Sequence, residues 1–513
     1  MVLKVQARDY QKKIYETALY HNTLVVLPTG LGKTLIALML SVKRLQEHPG
    51  KKVLLVAPTK PLVEQHAKSF KAEIPELFAD VQVLTGESNA TLRAKTWNTA
   101  DIIIATPQSI ANDLEKYLYT LEDVCLVIID EAHRCLKNYD YTKIVQRYKS
   151  TSPTQRILGL TASPGSNIDN VREICNHLDV EEIEIRNRES LDVKPYLQER
   201  EHDKIEVPFP PEFEELRFFL RKIYDMKVDQ LRERSLLFGP ANKITLLKLQ
   251  QRLAMQASQK NGNAMYGMSL TAQAIKISHA VELLETQTLS GLKAYLDGLL
   301  EQANNKQTKA AENLVKMPEF NGAYISVNNL LAQKKEHPKI TAIVQLVKET
   351  LKEKANGKII VFTQFRESAS QISLQLNSIE NVKAKIFIGQ TKKKDMGMSQ
   401  KEQKQILDQF RSGDINVLCA TSIGEEGLDI PEVDMVVFYE PIPSAIRKIQ
   451  RAGRTARLAP GKIVMLITKD TKDEANNYAS TAREKKMYSI IEKVKQEISK
   501  KSISLSRFSP KSV

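Results

Sequence analysis

Short apolar runs alternate with helix-length segments between roughly residues 20 and 185. The runs are rich in Val, Ile and Leu and read TLVVL, KVLLVAP, VQVLTG, DIIIATP, CLVIID and RILGLTAS. Strands that are apolar along their whole length are typical of a parallel sheet that helices cover on both faces. The pattern therefore predicts an α/β domain.

The same alternation returns after residue 338, in KIIVFT, KAKIFIG, NVLCATS, MVVFYEP and KIVMLIT. Between the two regions, apolar residues recur at helical spacing, as in HAVELLETQTLSGLKAYLDGLLEQA. We therefore predict an α/β protein with two parallel-sheet domains and a helical insert between them. The predicted boundaries are 1–204 for the first α/β domain, 205–335 for the insert, 336–490 for the second α/β domain, and 491–513 for the end of a C-terminal helix and a mobile tail.

Composition and charge narrow the class of protein. With 42% hydrophobic and 27% charged residues, the chain is globular, and its four cysteines form no C-x-x-C pair. The sequence has no signal peptide and no membrane-length apolar run, so we expect a cytoplasmic protein. The net charge is +14, yet residues 1–209 hold 27 Lys and Arg against 28 Asp and Glu. The excess positive charge beyond this region is compatible with a nucleic-acid partner, although many soluble proteins are basic without one.

The segment VVLPTGLGKTLIAL places a glycine-rich turn between a strand and a helix. Gly30 and Gly32 would let backbone N–H groups approach phosphates closely. Lys33 would reach the β- and γ-phosphates of a nucleotide, and Thr34 would bind Mg²⁺. The strict pattern G-x-x-x-x-G-K-[ST] has a glycine where this chain has Leu27. A strand-to-helix turn that merely contains Gly-Lys-Thr is therefore the alternative.

A second motif, CLVIIDEAHR, is an apolar strand that ends in two carboxylates. In nucleotide hydrolases the first carboxylate holds Mg²⁺ and the second activates the attacking water, and we assign these roles to Asp130 and Glu131. An acidic N-cap of the next helix is the alternative, but it would explain Asp130 alone. The pair indicates a hydrolytic site.

A third motif lies in the second α/β domain, in the segment IRKIQRAGRTARLAP. Gln450, Arg454 and Arg457 fall within this short basic stretch. Arginines that stabilise a transferring phosphoryl group are commonly supplied by a second domain. A basic helix that faces solvent is the alternative interpretation.

In this order, the motifs resemble those of superfamily-two helicases: PTGLGKT motif I, DEAH motif II, TAS motif III and QRAGRTAR motif VI. APTKPLV, GLTASPGS, SHAVELLETQTLSGLKAY and ATSIGEEGLD are similar to the archaeal helicase-associated endonucleases (the Hef family) and to the helicase part of FANCM. The resemblance to Dicer and the RIG-I-like RNA sensors is more distant. The resemblance to superfamily-two helicases covers roughly residues 8–485. It implies two RecA-like domains around the insert, with ATP and Mg²⁺ as cofactors.

The resemblance also assigns roles to individual residues. The implied nucleotide contacts are Gln11, Pro28, Thr29, Gly30, Leu31, Gly32, Lys33, Thr34, Gly427 and Asp429. The implied Mg²⁺ ligands are Thr34 and Asp130. The residues implied to couple the nucleotide to the strand-binding face are His133, Thr161 and Ser163.

A strand-binding face across both α/β domains is implied by the same resemblance, since phosphate contacts position a strand without reading its sequence. The implied contacts are Thr59, Lys60, Pro61, Thr106, Pro107, Gln364, Phe365 and Thr421. Lys392 and Lys393 are a further candidate, with a solvated lysine cluster as the alternative. The insert could grip a second duplex arm, or merely expose an amphipathic helix, through Arg221, Lys222, Lys227, Arg232 and Arg234.

Two features depart from the family pattern. The nuclease motif E-R-K-x-x-x-D does not occur, so we expect a helicase-only member or a fragment, with a nuclease as partner or missing domain. Motif VI has Ala456 where glycine is common. The segment KSISLSRF also resembles a sliding-clamp-binding pattern through Leu505 and Phe508, with Ser502 replacing the usual glutamine.

The resulting hypothesis is an ATP-dependent DNA helicase or translocase. Its substrate would be forked, branched or single-stranded DNA in replication-fork repair or recombination. One alternative is an RNA helicase or double-stranded-RNA-binding ATPase of the related RNA-sensor branch. The other is a repair protein that acts mainly as a scaffold.

Overall fold

The computed structural model describes residues 5–137, 139–197, 200–258, 261–389, 397–421, 430–442 and 461–506. The strands of the first domain are β1 (Thr23–Val26), β2 (Lys52–Val56), β3 (Val81–Leu84), β4 (Ile102–Ala105), β5 (Val124–Asp130), β6 (Ile157–Thr161) and β7 (Glu182–Ile185). They lie in the order β3-β4-β2-β5-β6-β1-β7, and every pairing between them is parallel.

Helices cover both faces of this sheet. They are α1 (Asp9–Tyr20), α2 (Lys33–Glu47), α3 (Lys60–Glu73), α4 (Ala90–Thr99), α5 (Pro107–Glu115), α6 (Asp140–Thr151) and α7 (Ile168–His177). Because side chains alternate along a strand, the central strand β5 feeds two cores. Val127 and Ile129 pack into one core, whereas Leu126 and Ile128 pack into the other. The predicted parallel sheet, buried on both faces, is confirmed.

The second sheet is also parallel. Its strands are β8 (Arg200–Val207), β9 (Ile359–Phe362), β10 (Ala384–Phe387), β11 (Val417–Ala420), β12 (Met435–Phe438) and β13 (Gly461–Thr468), in the order β10-β11-β9-β12-β13-β8. The helices α14 (Pro338–Glu353), α15 (Arg366–Leu376) and α16 (Gln400–Ser412) belong to this domain. Each apolar run that was predicted as a strand is a strand.

The strands β7 and β8 were not predicted from the sequence. Both lie at the edge of a sheet and pair on one side only among the described strands, and both contain several charged residues, as in EIEI and REHDKIEV. Moreover, β8 pairs with β13 along its whole length. The boundary predicted after residue 204 therefore falls inside a strand of the second sheet.

The insert is helical, as predicted. Its helices are α8 (Glu214–Glu233), α9 (Lys243–Ala257), α10 (Gly262–Thr286), α11 (Leu289–Asn304), α12 (Lys309–Val315) and α13 (Pro318–Ala332). Leu220, Leu284, Leu292 and Phe320 come from four of these helices and are almost fully buried together in one core. The insert therefore has a hydrophobic core of its own.

A long C-terminal helix, Lys472–Ser506, returns from the second sheet to the first domain. Met487, Ile490, Ile491 and Val494 lie in a core of the first domain, next to residues of α6 and α7. A helix end and a mobile tail were predicted for residues 491–513, and the helix continues through Ser506. Residues 507–513 lie outside the described part of the chain.

Within the described part of the chain, no helix combines the length and the apolar character that are needed to span a bilayer.

Candidate functional site

The glycine-rich turn lies at the carboxyl end of β1. Gly30 and Gly32 have φ of 84° and 73°, in the left-handed region that glycine adopts readily. The helix α2 begins at Lys33, directly after the turn. Leu27 is fully buried, and its N–H donates to the carbonyl of Thr161 at 3.0 Å. Leu27 therefore extends the strand, and the missing first glycine leaves the turn intact.

The helix α1 supports this turn from the side. Tyr10 donates its hydroxyl hydrogen to the carbonyl of Leu31 at 2.8 Å, and Gln11 Nε2 donates to the same carbonyl at 3.2 Å. Gln11 Oε1 accepts from the N–H of Arg8 at 2.9 Å. A Cβ atom at Gly32 would lie 2.3 Å from Gln11 Nε2. Tyr10 and Gln11 therefore position the turn. The contact of Gln11 with adenine stays a prediction, and Tyr10 was missed from the sequence.

The strand β5 delivers Asp130 beside the turn. His66, on α3, places its Nε2 2.8 Å from Asp130 Oδ2. Burial would raise the pKa of Asp130, but the hydrogen bond and charge of His66, the charge of Lys33 and the N–H of Glu131 outweigh burial and lower the pKa. The carboxylate is thus ionised and near Lys33. His66 had no special role in the sequence prediction, because a single histidine on a helix gives no signal of a tertiary contact.

Glu131 adopts φ 52° and ψ 50°, a left-handed backbone that is uncommon for a residue with a side chain. Its Oε2 lies 3.3 Å from His133 Nδ1, which is also 3.2 Å from Thr161 Oγ1. Thr161 Oγ1 in turn accepts from the N–H of Ser163 at 3.1 Å. The structure therefore brings the predicted coupling residues into one chain of contacts that starts at Glu131.

That chain of contacts continues into the C-terminal helix. The hydroxyl of Ser163 donates to the sulfur of Met487. The helix also pairs Glu497 with Arg172 of α7, at 2.8 Å and 3.0 Å. The segment after β6 is therefore in direct contact with an element that begins in the second domain.

The predicted strand contacts lie where strands of both sheets end. Thr59, Lys60 and Pro61 follow β2; Thr106 and Pro107 follow β4; Gln364 and Phe365 follow β9; and Thr421 follows β11. In parallel sheets this carboxyl edge is the usual ligand-binding edge. The fold therefore gathers these residues along the carboxyl edges of the two sheets.

The predicted strand-contact residues differ in exposure and in the side chains that they contact. Gln364 is exposed, but Thr421 is only 6% exposed. The ring of Phe365 packs against the insert, 5.6 Å from the ring of His279. Lys60 forms ion pairs with Glu87 at 2.5 Å and Glu64 at 3.5 Å. Phe365 thus has a packing role that the sequence did not predict.

A groove of about 550 Å³ separates α3 of the first domain from α16 of the second. Lys60 and Lys68 line one side, and Lys401, Lys404 and Arg411 line the other. The sequence did not predict that α16 contributes to a basic surface, because its pattern is that of an ordinary amphipathic helix.

The basic residues of α8 are largely engaged within the insert. Arg221 pairs with Glu285 at 2.8 Å, and Lys222 with Glu319 at 3.1 Å. Arg234 lies over the ring of Tyr266, with 4.1 Å between its guanidinium carbon and the ring centroid. The expected basic face for a duplex arm is therefore partly neutralised by neighbours.

Several predicted residues lie outside the described part of the chain. These are Lys392, Lys393, Gly427, Asp429, Gln450, Arg454, Ala456, Arg457 and Phe508. The side chains of Ser502 and Leu505 also lie outside it. Their roles stay predictions.

Family models match three consecutive regions of the chain. The DEAD/DEAH box helicase model matches residues 8–171, and the helicase conserved C-terminal domain matches residues 338–459. A third model, described provisionally as the helical bundle of an ATP-dependent RNA helicase, matches residues 212–337. The first and second matches lie within the two α/β domains but end before β7 and β13, and the third match covers the insert.

A solved structure decides the family. The helicase domain of Hef from Pyrococcus furiosus is 43% identical, with a TM-score of 0.71, and the match covers 94% of this chain and all of that one. This chain belongs to the Hef helicase family. The two α/β domains of this family member are therefore RecA-like, as the resemblance implied.

Longer relatives match as well. A Methanocaldococcus jannaschii protein, named provisionally as an ATP-dependent RNA helicase, is 36% identical over 94% of this chain and 60% of its own length. The ATP-dependent DNA helicase mph1 of Neurospora crassa is 34% identical over 93% of this chain and 42% of its own length. The Hef family member described here thus spans about half the length of these relatives.

Proposed function

We propose that this chain is an ATP-dependent DNA helicase or translocase that acts on forked or branched DNA in replication-fork repair or recombination. One observation carries this proposal: the Gly30–Thr34 turn lies at a junction with Asp130 and Glu131. His133 connects Glu131 of this junction to Thr161. This junction joins a phosphate-binding turn to a hydrolytic carboxylate pair. The DNA helicase name of the mph1 relative supports DNA as the substrate.

The described residues fit a nucleotide with Mg²⁺. The positive φ of Gly30 and Gly32 leaves the backbone of the turn open to phosphate oxygens. Lys33 adds a positive charge beside the ionised Asp130. Mg²⁺ often takes one carboxylate, with water and phosphate as the other ligands, and Asp130 offers that carboxylate.

In this proposal each residue has a separate task. Lys33 would bind the terminal phosphates, while Thr34 and Asp130 would hold Mg²⁺, which supplies charge neutralisation when it is bound. Glu131 would accept a proton from the attacking water at its carboxylate. Arg454 and Arg457 of the second domain would stabilise the developing charge when the two domains close. DNA along the strand-binding face would favour that closed arrangement.

An ATPase assay across nucleic acids tests the proposal. Forked DNA and single-stranded DNA should stimulate hydrolysis, and strand separation should require ATP. Lys33→Ala, which removes the phosphate-binding cation, serves as the inactive control. Stimulation by double-stranded RNA alone would overturn the DNA assignment.

An RNA-directed activity is the second candidate. The Methanocaldococcus jannaschii relative carries an RNA helicase name, and so does the model that matches the insert. The same assay separates the two candidates. The scaffold alternative predicts that Lys33→Ala leaves repair unchanged in cells. The clamp contact through Leu505 and Phe508, and a nuclease partner, stay predictions.

A further inference from the structure

We propose that His66 is a positioning residue that links the strand-facing helix α3 to the metal-holding carboxylate of Asp130, so that strand binding and nucleotide binding influence each other. This inference rests on the proposed function. It adds a second route between the two sites, separate from His133. No sequence motif pointed to it.

The position of His66 on α3 is the first observation. Val63, His66, Ala67 and Phe70 follow the helical spacing i, i+3, i+4 and i+7, and all are buried against the sheet. His66 is thus a polar residue in an otherwise apolar stripe. The start of the same helix carries Lys60 at the groove between the domains, about 9 Å along the axis from His66.

The second observation is how the imidazole is bonded. Nε2 lies 2.8 Å from Asp130 Oδ2, with both side chains 9% exposed. Nδ1 is buried and has no hydrogen-bond partner among the described residues. An unsatisfied buried nitrogen is unfavourable, so a purely apolar side chain would pack here more favourably. The contact with Asp130 is the polar interaction that offsets this cost.

The third observation is the arrangement of the two acids. Asp130 contacts His66 of α3, whereas Glu131 contacts His133 and, through it, Thr161. Two neighbouring carboxylates with different tasks are therefore oriented by histidines from different elements. Residues that orient a metal-binding carboxylate influence metal affinity. Their loss typically lowers metal affinity or activity about 10–100-fold. A shift of α3 on strand binding would reach Asp130 directly.

The test measures the coupling between the two ligands without turnover. Anisotropy of a labelled single-stranded oligonucleotide gives its Kd with and without Mg²⁺ and a nonhydrolysable ATP analogue. The ratio of the two Kd values is the coupling factor, typically about 5–150-fold in coupled proteins. For the unaltered protein we expect a factor of about five or more.

Four variants separate positioning from packing. His66→Ala should bring the coupling factor close to one and raise the Mg²⁺ requirement about tenfold, while Kd without nucleotide stays within about twofold. His66→Gln keeps a donor and should restore at least half of the effect. Ser69→Ala is the matched control, because the bond that Ser69 Oγ makes among the described residues is to the carbonyl of Gln65 within the same helix. If circular dichroism shows that His66→Ala is unfolded, His66→Leu fills the space and carries the same expectation.

Each outcome decides the question. A coupling factor in His66→Ala or His66→Leu equal to that of Ser69→Ala overturns the role of His66 and leaves the proposed function standing. An unaltered protein that binds neither the oligonucleotide nor the nucleotide overturns the proposed function, and the role of His66 with it.

Discussion

Glu131 is held in a left-handed backbone conformation at the end of the strand that carries Asp130. Such conformations cost about 1–3 kcal/mol and persist where the surrounding structure imposes them. The Glu131 carboxylate lies 3.3 Å from His133, whereas Asp130 contacts His66. The two adjacent acids therefore have different neighbours.

The first prediction concerns Glu131. Glu131→Gln keeps the shape of the side chain but removes its ability to accept a proton, so hydrolysis should fall at least about 100-fold. Affinity for a fluorescent ATP analogue should remain within about threefold, because Lys33 and the turn still bind the phosphates. Single-turnover hydrolysis and equilibrium binding measure the two quantities. Loss of binding in a folded variant would contradict the role of Glu131.

The second prediction concerns Gly32. An added methyl group would meet Gln11 Nε2 at 2.3 Å and would force an alanine into φ 73°. Gly32→Ala should therefore weaken nucleotide binding by displacing the Gln11 amide, and it should destabilise the protein by the backbone cost, about 1–2 kcal/mol. Gly50→Ala is the matched control, since Gly50 has φ 78° but no atom within 4 Å of the added carbon. Equal nucleotide affinity in both variants would contradict the role of Gly32 in the phosphate-binding turn.

At the residue scale, the sequence could predict the site residues that lie directly after a strand. Gly30, Lys33, Asp130 and Thr161 come at or just beyond the ends of neighbouring parallel strands, so the sheet itself brings them together. Tyr10 and His66 lie on helices, where a polar residue gives no sign of which distant atom it touches. Those contacts depend on packing that the sequence pattern leaves open.

At the scale of elements, charged side chains connect the insert to the C-terminal helix. Glu282 of α10 lies 3.4 Å from Lys243 of α9, 3.8 Å from His279 and 3.9 Å from Lys472 of the C-terminal helix. Burial would raise the pKa of Glu282, but the nearby His279 and the charges of Lys472 and Lys243 outweigh burial and lower it to about 2.

The third prediction uses that pKa. A carboxyl whose pKa is lower in the folded protein stabilises the fold above its unfolded pKa, and this contribution is lost as the pH falls. The Glu282 contribution should be complete above about pH 5 and should decline towards pH 2, with an upper size of about 3 kcal/mol. The difference in unfolding free energy between the unaltered protein and Glu282→Gln should therefore shrink between pH 6 and pH 3.5. Glu301→Gln, at an exposed position of α11, should show no such change.

The elements that the sequence predicted well are those with one dominant pattern. Buried strands such as β5 are apolar throughout, and the insert helices repeat at helical spacing. The edge strands β7 and β8 are charged and short of apolar residues, so periodicity could not identify them. The predicted end of the first domain fell inside β8 for the same reason.

On the scale of the whole molecule, the C-terminal helix makes the first domain dependent on the end of the chain. Ile491 is fully buried in the core that also holds Trp97, the only tryptophan in the sequence. Arg172 and Glu497 add an ion pair at the surface of the same contact. Fluorescence of Trp97 therefore reports on the core that this helix completes.

The fourth prediction uses that probe. Ile491→Ala should destabilise the first domain by about 2–5 kcal/mol, because it leaves a cavity in a packed core. Chemical denaturation followed by Trp97 fluorescence should show an earlier transition. Glu492→Ala, at the exposed neighbouring position, should change the unfolding free energy by no more than about 0.5 kcal/mol. An unchanged Trp97 transition in Ile491→Ala would show that the core around Trp97 does not depend on the Ile491 side chain.

The long return of the C-terminal helix also has a consequence for synthesis on the ribosome. The sheet of the first domain is complete once residue 185 has emerged, but Met487 emerges roughly 300 residues later. At about 5–20 residues per second, the apolar surface of the first domain that the C-terminal helix covers stays exposed for about 15–60 s during synthesis. The edge strand β8 waits almost as long for β13. The newborn chain therefore needs protection of both surfaces, and a chain released before its last helix would keep the first of them exposed.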